Sequence, residues 1–390
     1  MEKRDNIETF AAYAPGQEPV HSSARSALTE GSRIAWPLKW SWACRYLDRH
    51  EWAQTYSLCR DGVTDPRPAD VALVQVEKLG WHRHLETDEA RRIRLYEGDK
   101  LLCAFGDRYA SEGFEGRVLS PAKHRLHMLT SSGMVGTVLS RHHNVKHPTT
   151  VSFLGYLTDN SGLRVNLKAL QFQTLQFQDA PASAAIDVIA IAGTGMSTGK
   201  TTVMRRLLRG LHARGVRVAG CKLTGSTSPR DLQEMRATGS VLATDFSDYG
   251  FPSTYCASYA DLLRLFYSMV NACRRAGAEL ILMELADGFL QPETQMILTS
   301  DEFRRHFRAV IVTATCSGSA LCVTEAMQAA GHDVWAVSGL VTNAPLSVRE
   351  FSLRSEIPVV SSHSADQLAD MVMGKLAIAD FDERPSVVGR

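Results

Sequence analysis

The hydrophobic pattern changes character once along the chain. Over residues 70–168 the apolar residues come in short runs. Val71-Ala72-Leu73-Val74-Gln75-Val76, Arg92-Ile93-Arg94-Leu95-Tyr96 and Leu101-Leu102-Cys103-Ala104-Phe105 each read as a strand. Glu97-Gly98-Asp99-Lys100 and Gly113-Phe114-Glu115-Gly116 read as turns between strands. Short strands at this spacing predict a small barrel or sandwich. From Ile186 to Ala192 the chain is almost continuously apolar, as a strand buried on both faces must be. An amphipathic helix follows, with Val203, Leu207, Leu208 and Leu211 on one face and Arg205, Arg206 and Arg209 on the other. Further strands are expected at 216–221, 280–284, 309–313, 334–341 and 358–360, with helices between them, such as 259–275 and 320–330. Strand and helix in alternation predict a parallel sheet with right-handed crossovers. No internal repeat is evident.

This pattern divides the chain into a loose arm (1–35), a β-rich domain (36–168), a linker (169–185), an α/β domain (186–375) and a tail (376–390). Two domains suit a length of 390 residues. The stretch Trp36-Pro37-Leu38-Lys39-Trp40-Ser41-Trp42 is expected to pack an aromatic cluster against the first domain. Composition changes this picture little: 44% hydrophobic and 22% charged residues are ordinary for a globular chain. A formal net charge of +1 gives no reason to expect nucleic-acid binding. The polar start lacks the apolar core of a secretory signal, and no stretch is long enough for a membrane helix. The eight cysteines are scattered without a C-x-x-C pair, which suits reduced thiols and a cytoplasmic protein. His82 and His84, His124 and His127, and His142, His143 and His147 lack a Cys or acidic residue at convincing ligand spacing, so no metal site is expected there.

The chemistry concentrates in the second domain. Gly193-Thr194-Gly195-Met196-Ser197-Thr198-Gly199-Lys200-Thr201-Thr202 lies between an apolar strand and an amphipathic helix, where a phosphate-binding loop belongs. Glycines allow backbone N–H groups to face phosphate oxygens, and the helix N-terminus adds partial positive charge. Lys200 would reach the β- and γ-phosphates, and Thr201 would offer its hydroxyl to Mg²⁺. The first glycine stands one place earlier than the usual spacing requires. Glu284 ends an apolar strand, where a phosphate-loop protein keeps its Mg²⁺-linked acid, with Asp287 close behind. Lys222 ends another strand and would point into the same crevice. Asp231 and Asp245 are further candidates for a metal-linked carboxylate.

Together these pieces resemble dethiobiotin synthetase and its P-loop relatives. The shared points are Gly193-Thr194 followed by Gly199-Lys200-Thr201, Lys222 and Glu284 at strand ends, and Asn343 after Val337-Ser338-Gly339-Leu340-Val341-Thr342. That family's loop also has its first glycine six places before its second. The resemblance covers about half the chain and implies a P-loop NTPase domain, a parallel sheet flanked by helices, following the smaller β-rich domain read from the strand pattern. It implies ATP, with Asn343 recognising the adenine, Lys200 and Lys222 holding phosphate and the acid being activated, and Glu284 near metal and substrate. It also implies a homodimer. Leu285-Ala286-Asp287-Gly288-Phe289-Leu290-Gln291 stands where dethiobiotin synthetase has a glycine-rich turn. The β-rich domain has no counterpart there either, so a biotin enzyme is not expected. Thr244-Asp245-Phe246-Ser247-Asp248-Tyr249-Gly250 is similar to an aspartate-phenylalanine motif of another P-loop family, which includes D-glutamate N-acetyltransferase-type proteins.

The expected function is ATP- and Mg²⁺-dependent activation of a small carboxylate or carbamate, ligase- or kinase-like, with Lys200, Lys222 and Glu284 as the catalytic residues. The alternative is a nucleotide-driven switch or accessory NTPase for cofactor or metallocentre assembly. Small carboxylates or amines, not nucleic acid or membranes, are the expected partners.

Overall fold

The computed structural model describes residues 38–49, 55–59, 65–119, 125–174 and 186–377. The expected arm, Trp36, His124, most of the linker and nearly all of the tail lie outside the described residues. Ten strands lie among the described residues of the first half: β1 (Lys39–Trp40), β2 (Ser57–Cys59), β3 (Val71–Lys78), β4 (His84–Glu86), β5 (Arg92–Arg94), β6 (Lys100–Phe105), β7 (Phe114–Arg117), β8 (Arg125–Met128), β9 (Met134–Arg141) and β10 (Thr150–Thr158). Five of them form a closed circuit. β6 pairs with β3, β3 with β10, β10 with β8 and β8 with β9, all antiparallel. β9 then returns to β6 in parallel, with Ala104 opposite Met134 and Phe105 opposite Val135. Of the two architectures expected, this is the barrel, and closure leaves its strands no open edge.

Period-two alternation fills the barrel. Ala72, Val74 and Val76 of β3 and Leu101, Cys103 and Phe105 of β6 share an interior cluster with Met128, Val135 and Tyr156. The intervening Val71, Leu102 and Ala104 face outward under a second cluster with Trp40, Ala43 and Leu47. Both faces are therefore covered, which explains why these strands read as unbroken apolar runs. Gly113–Gly116 is not the simple turn expected, because Phe114 and Gly116 are buried on one face of β7, which pairs with β9. The start of the expected linker is also ordered, as helix α1 (Leu167–Thr174).

The second half alternates β11 (Asp187–Gly193), α2 (Lys200–Ala213), β12 (Val218–Lys222), α3 (Pro229–Arg236), β13 (Leu242–Asp245), α4 (Tyr259–Arg275) and β14 (Leu280–Leu285). There follow α5 (Pro292–Thr299), α6 (Asp301–His306), β15 (Phe307–Thr313), α7 (Ser317–Ala329), β16 (Val334–Ser338), α8 (Pro345–Ser352) and α9 (Ala365–Leu376). The strands form one parallel sheet in the order β13-β12-β14-β11-β15-β16. One face is covered by α2, α3 and α9, whose Val203, Leu207, Leu211, Met235 and Leu368 pack on Ile189 and Ile191. The other is covered by α4, α5 and α7, including Leu262, Phe266, Ile297 and Val323. Ser258 caps α4 by accepting from Asp261 N, and Arg274 and Arg275 sit in its last turn, where cations suit the helix dipole.

Two expected strands end differently. The run 334–341 stops at Ser338, because Gly339 takes φ +87° and starts a short 3-10 turn, Leu340–Asn343. Residues 358–360 touch the sheet through a single bridge, Val337 to Val359. β13 was not anticipated from sequence, since it is short and ends on the polar pair Thr244-Asp245.

The barrel docks on the C-terminal edge of this sheet. Ser132 Oγ donates to Thr227 O (2.8 Å) beyond β12, and Glu112 accepts from Ser197 Oγ (2.6 Å) beyond β11. Arg45 donates to Asp248 Oδ1 (2.6 Å) and Ser247 Oγ (3.0 Å) beyond β13. Its guanidinium is also sandwiched near the rings of Trp42 and Tyr46, 4.2 and 4.4 Å from their centres. Lys168 pairs with Asp261 at the start of α4 (3.0 Å). The tryptophans divide accordingly: Trp40 packs on the barrel, whereas Trp42 joins the core of the α/β half.

Candidate functional site

In open parallel sheets ligands bind beyond the carboxyl ends of the strands. That edge is where the barrel sits. Beyond these strand ends lies a cleft of about 330 Å³, lined by Met196 to Thr202, Lys222, Glu284, Ala286, Asp287 and Leu340, all of the α/β half. β11 runs down the middle of the sheet, and its last residue, Gly193, opens directly into the loop that feeds α2. Gly199 precedes the helix with φ +102°, a left-handed conformation suited to glycine. Ser197 holds a positive φ as well, so the loop curls back on itself. Lys200, the first residue of α2, is buried and folds its ammonium over that curl, donating to Gly195 O (2.7 Å) and to the carbonyl of Asp287. A strand, a glycine-rich curl, and a lysine returning over it at the head of a helix, all at the centre of a parallel sheet, decide the fold.

The second half is a P-loop NTPase fold.

No family model and no curated protein matches the chain. Similar solved structures include the signal recognition particle receptor FtsY from Elizabethkingia anophelis, 16% identical over 53% of this chain and 74% of that one, with a TM-score of 0.32. Chloroplast FtsY from Physcomitrella patens is also 16% identical, over 53% of this chain and 72% of the other (TM-score 0.34). The hydrogenase maturation factor HypB from Archaeoglobus fulgidus is 14% identical over 54% of this chain and 97% of its own (TM-score 0.35). Likeness at this level says nothing about what this chain binds.

The residues expected from sequence converge here to different degrees. Glu284 on β14 is buried and accepts from Thr201 Oγ1 at 3.2 Å. Lys222 on β12 lies opposite Glu284 in the sheet register, 3.9 Å from its Oε1, and is also bonded to Asp231. Burial works against the charge on Lys222, but Asp231 and then Glu284 outweigh it and raise its pKa. Burial likewise pushes Glu284 and Asp287 up, with Lys222 and Lys200 pulling both back, and it pushes Lys200 down. Asn343 lies in the turn after β16, exposed, with Oδ1 2.8 Å from His363 Nε2. Leu340 of the same turn lines the cleft, so the 339–343 segment borders the loop.

The oxygen donors present suit a small hard cation. Mg²⁺ typically takes one or two protein oxygens and fills its remaining positions with water and phosphate. Thr201 and Glu284 provide that minimal pair, and a buried carboxylate whose pKa is raised by burial gains from a cation beside it. Among the described residues no group of three His, Cys, Asp or Glu side chains is placed to hold a metal alone. His82 instead bonds to Leu129 O at 3.0 Å.

Asp245, offered from sequence as a further metal-linked acid, is engaged as a cap. Its Oδ1 accepts from Ser247 N (2.8 Å) and Ser247 Oγ, on the strand beyond Lys222 from Glu284. Burial first, then the charge of Asp248, pushes its carboxyl up to about 6, against the pull of Arg45, the Ser247 bond and Lys222. A folded pKa above the ordinary aspartate value of about 4 means the folded state binds this proton more tightly than the unfolded chain. Stability therefore falls as pH rises from about 4 to about 6. Asp245→Asn keeps an oxygen for the cap and removes the titration. Urea midpoints across that window are expected to decline less in the variant than in the wild type.

Sequence reasoning missed the contribution of the barrel. Glu112, bonded to Ser197 of the phosphate loop, sits in the loop between β6 and β7 just before the turn expected at 113–116, and no motif marks it.

Proposed function

We propose that this chain is an ATP- and Mg²⁺-dependent enzyme that activates a small carboxylate or carbamate held in the cleft beside the phosphate loop. The acceptor oxygen attacks the γ-phosphorus, the bond to the β-γ bridging oxygen breaks, and ADP leaves. In the ligase form an amine then attacks the acyl carbon, inorganic phosphate departs, and the amine's proton passes to water. The protein's own share is placement and charge. Lys200 neutralises the phosphate chain, Thr201 and Glu284 offer oxygens to the metal, and Lys222 offers a second cation to the acceptor.

The observation that carries this reading is Lys222. A phosphate loop needs no lysine on the next strand but one. Its ammonium, held charged by Asp231 and Glu284, lines the cleft beside the phosphate loop, which supports a role in receiving an anionic acceptor. The test offers the purified chain ATP, Mg²⁺ and pooled amino acids and small carboxylates. ADP release stimulated by one pool, and a phosphorylated or amidated product from it, is expected. Tight ATP binding with no pool raising ADP above background would sink the enzyme reading and favour the nucleotide-driven switch.

A further inference from the structure

The arginine face of α2 does not look into open solvent. Arg205, Arg206 and Arg209 line a groove of about 360 Å³. Its other walls are Glu234 of α3, Thr238 just beyond α3, and Ala365, the first residue of α9. Among the described residues it shares none of its lining with the cleft at the head of the same helix. The walls are fixed. An added Cβ at Gly210 would sit 2.5 Å from Ala365 O and 2.9 Å from Ala369 Cβ, so the bare glycine lets α9 press on α2 directly beside Arg209.

Charge in this groove is unbalanced. Glu234 is the only acid that lines it among the described residues, and both its oxygens are engaged, by Arg205 (2.9 Å) and by Arg230 (2.8 Å). Arg206 donates to the carbonyl of His363, and Arg209 is exposed. Neither has an ion-pair partner among the described residues. The acids of α9 are committed elsewhere, because Asp366 and Asp370 both go to Arg214 (3.2 and 2.6 Å). Helix physics gives no reason for the arrangement. Cations suit the last turn of a helix, and the basic residue there is His212. Arg209 instead stands three and four places after Arg206 and Arg205, a spacing at which like charges repel and weaken a helix. An anion with several charges would remove that penalty.

We propose that the groove is a second anion site, built for a small ligand that carries a diphosphate or two phosphoryl groups, inorganic or on an organic carrier. Its size is that of a small-molecule pocket. Guanidinium forks suit phosphate oxygens. Three of them on two successive turns spread positive charge along the groove, which matches two phosphoryl groups better than one. The site needs no nucleotide on the phosphate loop, so it stands or falls apart from the functional reading above.

The test is calorimetric titration of the full chain, without Mg²⁺ and at about 0.15 M salt, where diffuse surface attraction is screened. The probes are inorganic pyrophosphate, fructose 1,6-bisphosphate, and citrate as a polyanion without phosphate. Lys200→Ala, whose phosphate loop is disabled, is expected still to bind one equivalent of a phosphate probe. Adding Arg206→Ala and Arg209→Ala should weaken that binding by about 10- to 100-fold, and Arg209→Lys in place of the second alanine should restore part of it. If Lys200→Ala does not fold, the two arginine substitutions in the wild-type background carry the test, and they are expected to remove one bound equivalent. Pyrophosphate bound in preference to the bisphosphate would assign the inorganic ligand, and the reverse order the organic one. Three results would overturn the proposal: phosphate binding abolished by Lys200→Ala alone, binding untouched by the arginine substitutions, or citrate held as tightly as the phosphate probes. Failure of the enzyme reading, judged by ADP release, leaves each of these outcomes unchanged.

Discussion

Lys200→Ala is expected to reduce turnover by about two to three orders of magnitude, the cost of removing one preorganised donor from a developing oxyanion. The fold should survive. Lys200 gives hydrogen bonds to Gly195 O and to the carbonyl of Asp287, and losing them leaves two acceptors at the cleft wall, costing about 1–3 kcal/mol if they stay dry. Against this, the variant no longer buries an ammonium whose charge burial disfavours. The two effects oppose each other, and water in the emptied space can serve the carbonyls, so the melting temperature should shift by only a few degrees. Steady-state ATP turnover together with a thermal melt checks both halves. A variant as active as wild type would show that the curl does not cradle phosphate. A variant that unfolds would show that Lys200 holds the loop rather than the ligand.

How much of this was legible beforehand depends on distance along the chain. The phosphate loop, Thr201 and the head of α2 are one contiguous stretch, so periodicity and glycine placement suffice to find them. Glu284 and Lys222 were legible because each ends an apolar run, and parallel strands deliver their last residues to one edge whatever their order. Strand ends were less secure. The run at 334–341 continues in sequence where the backbone turns away, because Gly339 adopts a positive φ that composition alone does not reveal. Asp245 reads in sequence only as a further candidate for a metal-linked carboxylate, yet its carboxylate goes to a local cap, a competition that aspartate enters wherever a turn follows. The barrel's share was illegible for a different reason. Glu112 reaches Ser197 across 85 residues, and only the docking of the two halves brings it there.

That docking also alters what the first half is for. Its contacts with the second half include loops that follow β11, β12 and β13, and it lies over the strand ends where a ligand must enter. A closed barrel has no edge to offer a partner strand, but its loops are rigidly spaced and can be placed accurately over a cleft. Arg45 makes the attachment firm, since it bonds Asp248 and Ser247 while stacked near Trp42 and Tyr46. The motif at 244–250, similar in sequence to that of another P-loop family, is here a surface to which the barrel is fastened.

Gly288→Ala should weaken nucleotide binding by about a hundredfold without unfolding the protein, the effect of moving a binding loop by roughly an ångström. The new Cβ would lie 2.7 Å from Gly195 Cα, 3.2 Å from Gly195 N and 3.3 Å from Thr194 O. All three are backbone atoms, so no side chain can rotate to make room, and the phosphate loop itself must shift. Phe289 N donates to Gly193 O at 2.9 Å just behind, which ties the two segments together and prevents them from simply parting. Backbone strain is not involved, because Gly288 does not occupy the left-handed region. At Gly195 an added Cβ would meet nothing within 4 Å, so Gly195→Ala is expected to leave the stability of the free protein unchanged. Calorimetric titration of ATP into Gly288→Ala, alongside melts of both variants, checks the pair. Wild-type affinity in Gly288→Ala would mean that the loop is not held by its neighbour at 287–289, and that its curl is set by its own glycines and Lys200 alone.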